Sequence, residues 1–529
     1  MRITKITISL LVLICAYIIV NLFWLKINNI PPAWDVAMHA HISIVFSKYI
    51  HSHGFWSLFF SPNTLLINPL YPPFISFAVI PFYNLFPVKD IGSMTLAMDI
   101  VFLPILVFSV FGIGKRMGDE KTGFFSAYLV AVYPFTIVAS RYFILEFPLM
   151  AMVALMIYVF ILSDDFQHTI FSLLFGMVMG IGLLLKQSFI LFTLPIIAYS
   201  LARVYFRRRE KVVILKQAVN LFIILFACIL LCGWWYAYNV ASSFDGYKII
   251  PYYCKLLNPK RCLLHWDKAI QFYPKALLTQ ISYPFIIAFF LSLPLYIKSR
   301  TKYKYLPVFF IIGVIFICTF VFTKDPRYII AIFTGFALIT ASGLFSIANI
   351  YLRRLAIWLV VSLSLLNFYE MASGKALTKL FTPSAGMSWV YSIYNPYIDN
   401  TDWKIDKVIF SLKEEISRSK AQKEKLLLVT GINHKVYSFQ TIRYYVEAEN
   451  LDLEISGLQS MNNPVDFLKN RQYDLLLYKD KNNVGKFETN KINKVGAFLK
   501  THPRYLKAVS RVKLPDESTI ILYRCQRLN

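Results

Sequence analysis

Long stretches of the chain are apolar on every face, not on one side of a 3.6-residue or two-residue repeat. They fall at about 7–25, 96–113, 122–139, 146–162, 169–185, 187–204, 217–240, 276–297, 305–322, 327–348 and 354–370. Each holds about 17 residues or more, close to what a helix needs to cross roughly 30 Å of hydrocarbon. The pattern predicts a polytopic α-helical membrane protein with about 11 spans. One further apolar piece, 71–87, reads "YPPFISFAVIPFYNLFP" and carries four prolines, with Pro81 in its middle. It is short for a span, and a broken backbone at membrane depth needs protein partners. It is expected to be re-entrant or interfacial.

After residue 371 the long apolar runs stop and charge rises. "KLLLVTG" (425–431), "YDLLLYKD" (473–480) and "STIILYRC" (518–525) are short runs of strand type, while "PVDFLKNR" and "VGAFLKTHPRYL" have helical spacing. The expected division is a membrane domain over 1–370, with a first external loop at 26–95, and a small α/β domain over 371–529. No Gly-rich phosphate loop and no triad pattern occurs in the second part.

Composition agrees. The 529 residues are 57% hydrophobic and 16% charged, with a mean hydropathy of +0.55. A cleavable signal peptide is not expected, because 7–25 is long for a signal core and no small-residue cleavage site precedes Pro31. The net charge of +26 would suggest nucleic acid in a soluble protein. Here much of the excess sits in short loops, where Lys and Arg set orientation, so no nucleic-acid partner is expected. Attraction to anionic membrane lipids, or to a phosphorylated lipid substrate, is the other use of such charge.

The basic loops also decide the crossing number. With "MRITK" inside and 71–87 not crossing, "GKRMGDEK" (114–121), "RVYFRRREK" (203–211), "KSRTKYK" (298–304) and "LRR" (352–354) all fall inside. If 71–87 crossed, all four would lie outside. The first choice puts the C-terminal domain outside. It also places five connections on the outer face: 26–95, 140–146, Lys186-Gln187, 241–275 and 323–328.

Those connections carry the candidate chemistry. "PPAWDVAMHAH" puts Asp35, His39 and His41 just beyond the first span, and "SRYFILE" brings Arg141 and Glu146 to the same face. Each has a plain structural reading: Asp35 could cap a helix starting at Val36, and Glu146 could pair with Arg141. Two ionisable groups meeting at one membrane surface favour a site. Lys186 could be a snorkelling interface lysine, and Arg327-Tyr328 an interfacial anchor. His39, four residues after Asp35, shares its side of a helix. A satisfied structural histidine is the alternative.

In their order, "NPLYPPF", "YPFTIVASRYFILEFPLMAMVALMIYVF", "GIGLLLKQSFILFTLP" and "KDPRYIIAIFTGFALITASGL" resemble the lipid-linked-sugar glycosyltransferases of the C fold. The similarity is to the protein O-mannosyltransferase and aminoarabinose-transferase superfamily, over roughly residues 1–370. It implies a polyprenyl-phosphate sugar donor, a lipid, glycan or protein acceptor, inversion at the anomeric carbon and a cavity open to the outer face. The expected location is a bacterial inner (plasma) membrane, with the C-terminal domain extracytoplasmic. Asp35 matches the first-loop aspartate, the acceptor base, and Glu146 the acidic position of the following turn. A divalent metal held by Asp35, Glu146 and His39 is a further implication. The chain departs from the pattern at Val36, where an acidic residue is common, and at Tyr71, where Lys or His precedes Pro-Pro. Donor-phosphate contacts then fall to Lys186, Arg327, Tyr328, Arg141 and His39, since a leaving phosphate needs positive charge. A transporter or flippase of a lipid-linked sugar is the competing reading, although no inverted repeat is visible.

Of seven cysteines, Cys254 and Cys262 share the loop "CKLLNPKRC". On this topology it lies outside, in an oxidising compartment if that space is a periplasm or an endoplasmic reticulum lumen. Asn258-Pro259 favours a turn between them, so a disulfide is expected.

Overall fold

The structure is a computed structural model. It describes residues 5–54, 56–57, 71–84, 91–206, 211–257, 266–299, 301, 303–321, 324–373, 394–395, 397–419, 425–458, 461, 463–470, 472–483, 486–502 and 506–525; at 83–84, 211–212, 240–257, 266–269, 372 and 486–488 only the backbone is described.

Among the described residues, each run expected as a span is built mainly of helix. The first part holds α1 (Lys5–Ile27), α2 (Trp34–His53), α3 (Phe74–Val79), α4 (Ile91–Met117), α5 (Glu120–Val132), α6 (Pro134–Ser140), α7 (Glu146–Leu162) and α8 (Thr169–Leu185). It continues with α9 (Phe189–Phe206), α10 (Lys211–Leu257), α11 (Trp266–Gln280), α12 (Tyr283–Lys298), α13 (Tyr305–Phe320), α14 (Phe333–Phe345) and α15 (Ile350–Ser373). Among the described residues, six helices are long and apolar enough to cross a membrane, or eight if each bent pair is one span. The α5–α6 pair bends by 65°. The cause is Pro134, which forces Tyr133 into extended backbone. The run expected as one span at 276–297 is instead two helices meeting at 110°, with the break at Ser282, whose φ is 75°. Helices α7, α8 and α13 are apolar but shorter.

Within the proline-rich piece, the described residues 71–84 hold the six-residue α3 and a 3-10 turn, Ile80–Asn84, each far shorter than a span. Helix α3 is packed against α2, where Ser76 and Ser43 share a hydrogen bond of 2.9 Å. Between spans, small residues allow close approach, the usual basis of helix association in lipid. In "GMVMG" a Cβ on Gly176 would lie 2.5 Å from the Ile224 carbonyl, and one on Gly180 3.0 Å from the Cys228 carbonyl, so α8 and α10 touch along backbone.

The C-terminal part is a five-stranded sheet in the order β2-β1-β3-β5-β4. Its strands are β1 (Leu426–Gly431), β2 (Leu453–Gly457), β3 (Leu475–Lys479), β4 (Leu506–Lys513) and β5 (Thr519–Cys525). β1 pairs in parallel with β2 and β3, and β5 is antiparallel to β3 and β4. The two-residue period sorts the faces. Leu426, Leu428, Leu475, Leu477, Ile520 and Leu522 lie under α16 (Ile405–Ser419) and α17 (Phe439–Ala448). Val429, Leu476 and Tyr478 lie under α18 (Pro464–Lys469) and α19 (Lys486–Thr501). The three strands expected from sequence are present. The two missed, β2 and β4, are the sheet edges, whose residues are half exposed and therefore polar.

Helix α2 joins the two parts. Lys48 Nζ lies 2.5 Å from Glu447 Oε1 of α17 and donates to its carbonyl at 2.9 Å. Tyr444 and Ala448 of α17 enter the core of the helical part.

Candidate active site

Four of the five connections expected on one face converge. Asp35 lies in the first turn of α2, where the helix N-terminus favours a carboxylate. The helix begins at Trp34, with Ala33 as its cap residue and no side-chain cap bond, so Asp35 does not serve as a cap. Glu146 opens α7 and is buried, Lys186 ends α8, and Asp325 caps the 3-10 turn Pro326–Ile332 that carries Arg327.

Arg327 is the hub. Its Nη1 donates to Asp35 Oδ2 at 3.0 Å and to the Tyr394 hydroxyl at 2.7 Å, and stands 3.7 Å from Glu146 Oε1. Its Nε and Nη2 clamp Asp325 Oδ2 at 3.0 and 2.8 Å. Lys186 Nζ donates to Glu146 Oε1 at 2.9 Å and lies 5.7 Å from the centre of the Tyr328 ring. The Lys186 side chain is 16% exposed, so it points inward and does not snorkel. Glu146 pairs with Lys186 at 2.9 Å and with Arg327 at 3.7 Å. Asp35 is the open member of the group: its side chain is 39% exposed, against 4% for Glu146.

His39 is buried one turn along α2, edge-on to the Tyr71 ring at 5.1 Å. Burial pulls its pKa down to about 4 against the opposing charges of Asp35 and Glu146. It is a neutral imidazole at pH 7. It also sits beside Tyr71, the position at which the chain lacks a basic residue.

Arg141 departs from expectation. It is buried, donates from Nε to Asn21 Oδ1 at 3.0 Å and from Nη1 to the Met371 carbonyl at 2.7 Å, and its guanidinium lies 5.2 Å from the centre of the Trp24 ring. Asn21 in turn donates to Asp99 Oδ2 and Ser140 Oγ, each at 2.8 Å. Arg141 therefore ties α1, α4 and the end of α15 together.

A family model described as dolichyl-phosphate-mannose-protein mannosyltransferase matches residues 71–234, less than half of the chain. Crystal structures of ArnT from Cupriavidus metallidurans, one bound to undecaprenyl phosphate and one apo, superpose with a TM-score of 0.58 and cover 97% of both chains, at 13% and 14% identity. The fold is the glycosyltransferase C fold. The Archaeoglobus fulgidus oligosaccharyltransferase aligns over 99% of this chain and 74% of its own, at 11% identity and a TM-score of 0.47. No curated protein sequence matches the chain.

The implied divalent metal does not fit this version of the C fold. The cation between Asp35 and Glu146 is the Arg327 guanidinium. Among the described residues no three His, Cys, Asp or Glu side chains are grouped to hold a metal. Sequence reasoning missed Asp325, Tyr394 and Asp99. Asp325 was legible, since "DPR" places a cap two residues before Arg327. Tyr394 was not, because it lies 67 residues from Arg327 in irregular chain. The expected Cys254–Cys262 bond lies outside the described residues.

Proposed function

We propose that the chain is an integral-membrane glycosyltransferase that moves a sugar from a polyprenyl-phosphate donor to an acceptor hydroxyl or amine at the outer face of the membrane, with inversion. The C fold and the family-model match support a membrane glycosyltransferase using a lipid-linked donor. ArnT, a structural relative, has been crystallised with undecaprenyl phosphate, and a carrier of that chemistry is our choice of donor. The membrane is the bacterial inner membrane, residues 1–370 form the membrane domain, and residues 371–529 lie outside.

One observation carries the reading. Two cations and a half-exposed carboxylate meet at one end of the bundle, with the carboxylate oriented by one of the cations. In glycosyl transfer the acceptor loses a proton, its oxygen or nitrogen bonds to the anomeric carbon, and the bond from that carbon to phosphate oxygen breaks with both electrons leaving on the phosphate. Asp35 uses Oδ2 for Arg327 and keeps Oδ1 for the acceptor proton. Lys186 and Arg327 meet the charge that develops on the phosphate, in a buried setting where such charge is worth more than in water. Glu146 and Asp325 hold those two cations in place. His39, neutral, offers an N–H to the phosphate or sugar. Transport needs polar groups near the midplane, whereas these gather at one end.

Asp35→Asn tests the assignment, since it keeps size and removes the base. Turnover of a polyprenyl-phosphate sugar should fall by about two to four orders of magnitude at normal expression. Retained turnover would overturn the role of Asp35.

A further inference from the structure

The residue before Asp35 is held in a conformation that its type disfavours. Trp34 has a φ of 46°. For a bulky L-residue this left-handed region is rare and persists only where the surroundings over-determine it. Both of its N–H donors are engaged by one short turn of the C-terminal part. The Trp34 backbone N–H donates to Ser438 Oγ at 3.2 Å, and its indole Nε1 donates to Asn433 Oδ1 at 3.1 Å.

That turn is itself rigid. It leaves the end of β1, closes with a bridge between Asn433 and Ser438, and carries a hydrogen bond of 2.6 Å from the His434 N–H to the Tyr437 carbonyl. The Asn433 N–H donates to Asn483 Oδ1 at 3.0 Å. Ser438 also caps α17, accepting the Thr441 N–H at 3.1 Å. Upstream, the same segment is stitched to the other side of the chain, where the Asn29 N–H donates to the Asp399 carbonyl at 2.8 Å and Asn28 Oδ1 accepts the Asp399 N–H at 3.1 Å. Residues 28–34 are thus gripped at both ends by chain that follows the last membrane helix.

We infer that the Asn433–Ser438 turn is a clamp that holds Trp34 left-handed and so aims the Asp35 carboxylate at Arg327, making Asn433 and Ser438 positioning residues for the transfer. This rests on Asp35 as acceptor base. The clamp gives the C-terminal sheet a task in the reaction without any contact between the sheet and the sugar. With the indole released, Trp34 relaxes to negative φ and the first turn of α2 rotates. A carboxylate displaced by a fraction of an ångström still lets donor bind but no longer meets the acceptor proton.

The test is a double-mutant cycle on the full chain in detergent, followed as release of undecaprenyl phosphate from undecaprenyl-phosphate hexose. In Asn433→Ala kcat should fall about ten-fold with donor KM nearly unchanged, the mark of misplacement and not of lost binding. Asn433→Asp keeps the acceptor oxygen and should restore kcat to within about two-fold. In a Trp34→Gly background positive φ carries no steric cost, so Asn433→Ala should there remove less than about two-fold more. An equal loss in both backgrounds would overturn the clamp, because Asn433 would then act by some route other than Trp34. So would full turnover in Asn433→Ala alongside an inactive Asp35→Asn. Full turnover in Asp35→Asn would instead remove the base assignment, and the clamp with it.

Discussion

Replacing Lys186 with methionine separates two jobs that the structure gives to one ammonium. Lys186 donates to Glu146 at 2.9 Å, and the Glu146 side chain is 4% exposed. Without the lysine the nearest cation left to the carboxylate among the described residues is Arg327, at 3.7 Å. A lost charged hydrogen bond at a buried carboxylate costs about 1.5–3 kcal/mol, which in a chain this long lowers the unfolding temperature by a few degrees. Donor affinity should fall as well. One phosphate contact of about 1.4 kcal/mol corresponds to a ten-fold rise in donor KM. Adding Glu146→Gln separates the effects, since removing both partners of a buried pair is far less costly than removing one. The double variant should recover most of the thermal stability while its donor KM stays high. The assays are thermal unfolding in detergent and initial rates against donor concentration. Unchanged stability and unchanged KM in Lys186→Met would refute the pairing and the phosphate role together. A double variant as unstable as the single one would show that the orphaned carboxylate is not the cause.

Three further outcomes are open to measurement. In intact cells an impermeant thiol reagent should label Asn400→Cys and leave Lys121→Cys untouched; both sites are exposed, and the reverse result would invert the topology. His39 has its pKa depressed to about 4 in the fold by burial, so the unfolded chain binds its proton first as pH falls from about 6.5 to 4. Stability should therefore decline through that window by up to about 1.4 kcal/mol per pH unit from this group, a slope that His39→Gln should flatten in thermal melts. Gly343→Ala would put a Cβ 2.3 Å from the Ser292 carbonyl. It should push α14 from α12 and destabilise by about 1–3 kcal/mol, visible as a lower unfolding temperature with Asp35-dependent turnover retained below it.

The sequence by itself determined where the apolar helices of the first part lie, because a long apolar run is a local property that lipid enforces on each segment alone; it did not determine how each is broken, as the two helices at 276–297 show. It also determined that residues 74–84 form only short helical turns, since Pro81 interrupts a longer helix there. Charge in the short loops predicted which connections share a face, and Asp35, Glu146, Lys186 and Arg327 do meet. The central sheet strands were legible because both their faces are apolar, whereas edge strands β2 and β4 carry solvent-facing residues and give no such signal. What only the tertiary structure decided is who pairs with whom. Arg141 and Arg327 are alike in sequence as basic residues at outward span ends. One is spent on Asn21 and the Met371 carbonyl, the other joins three carboxylates and Tyr394. The arginine lying where a metal was expected and the grip of Asn433 on Trp34 belong to the same class. Each depends on contacts between segments far apart in the chain, whose geometry is set by how helices cross and not by the composition of any one of them.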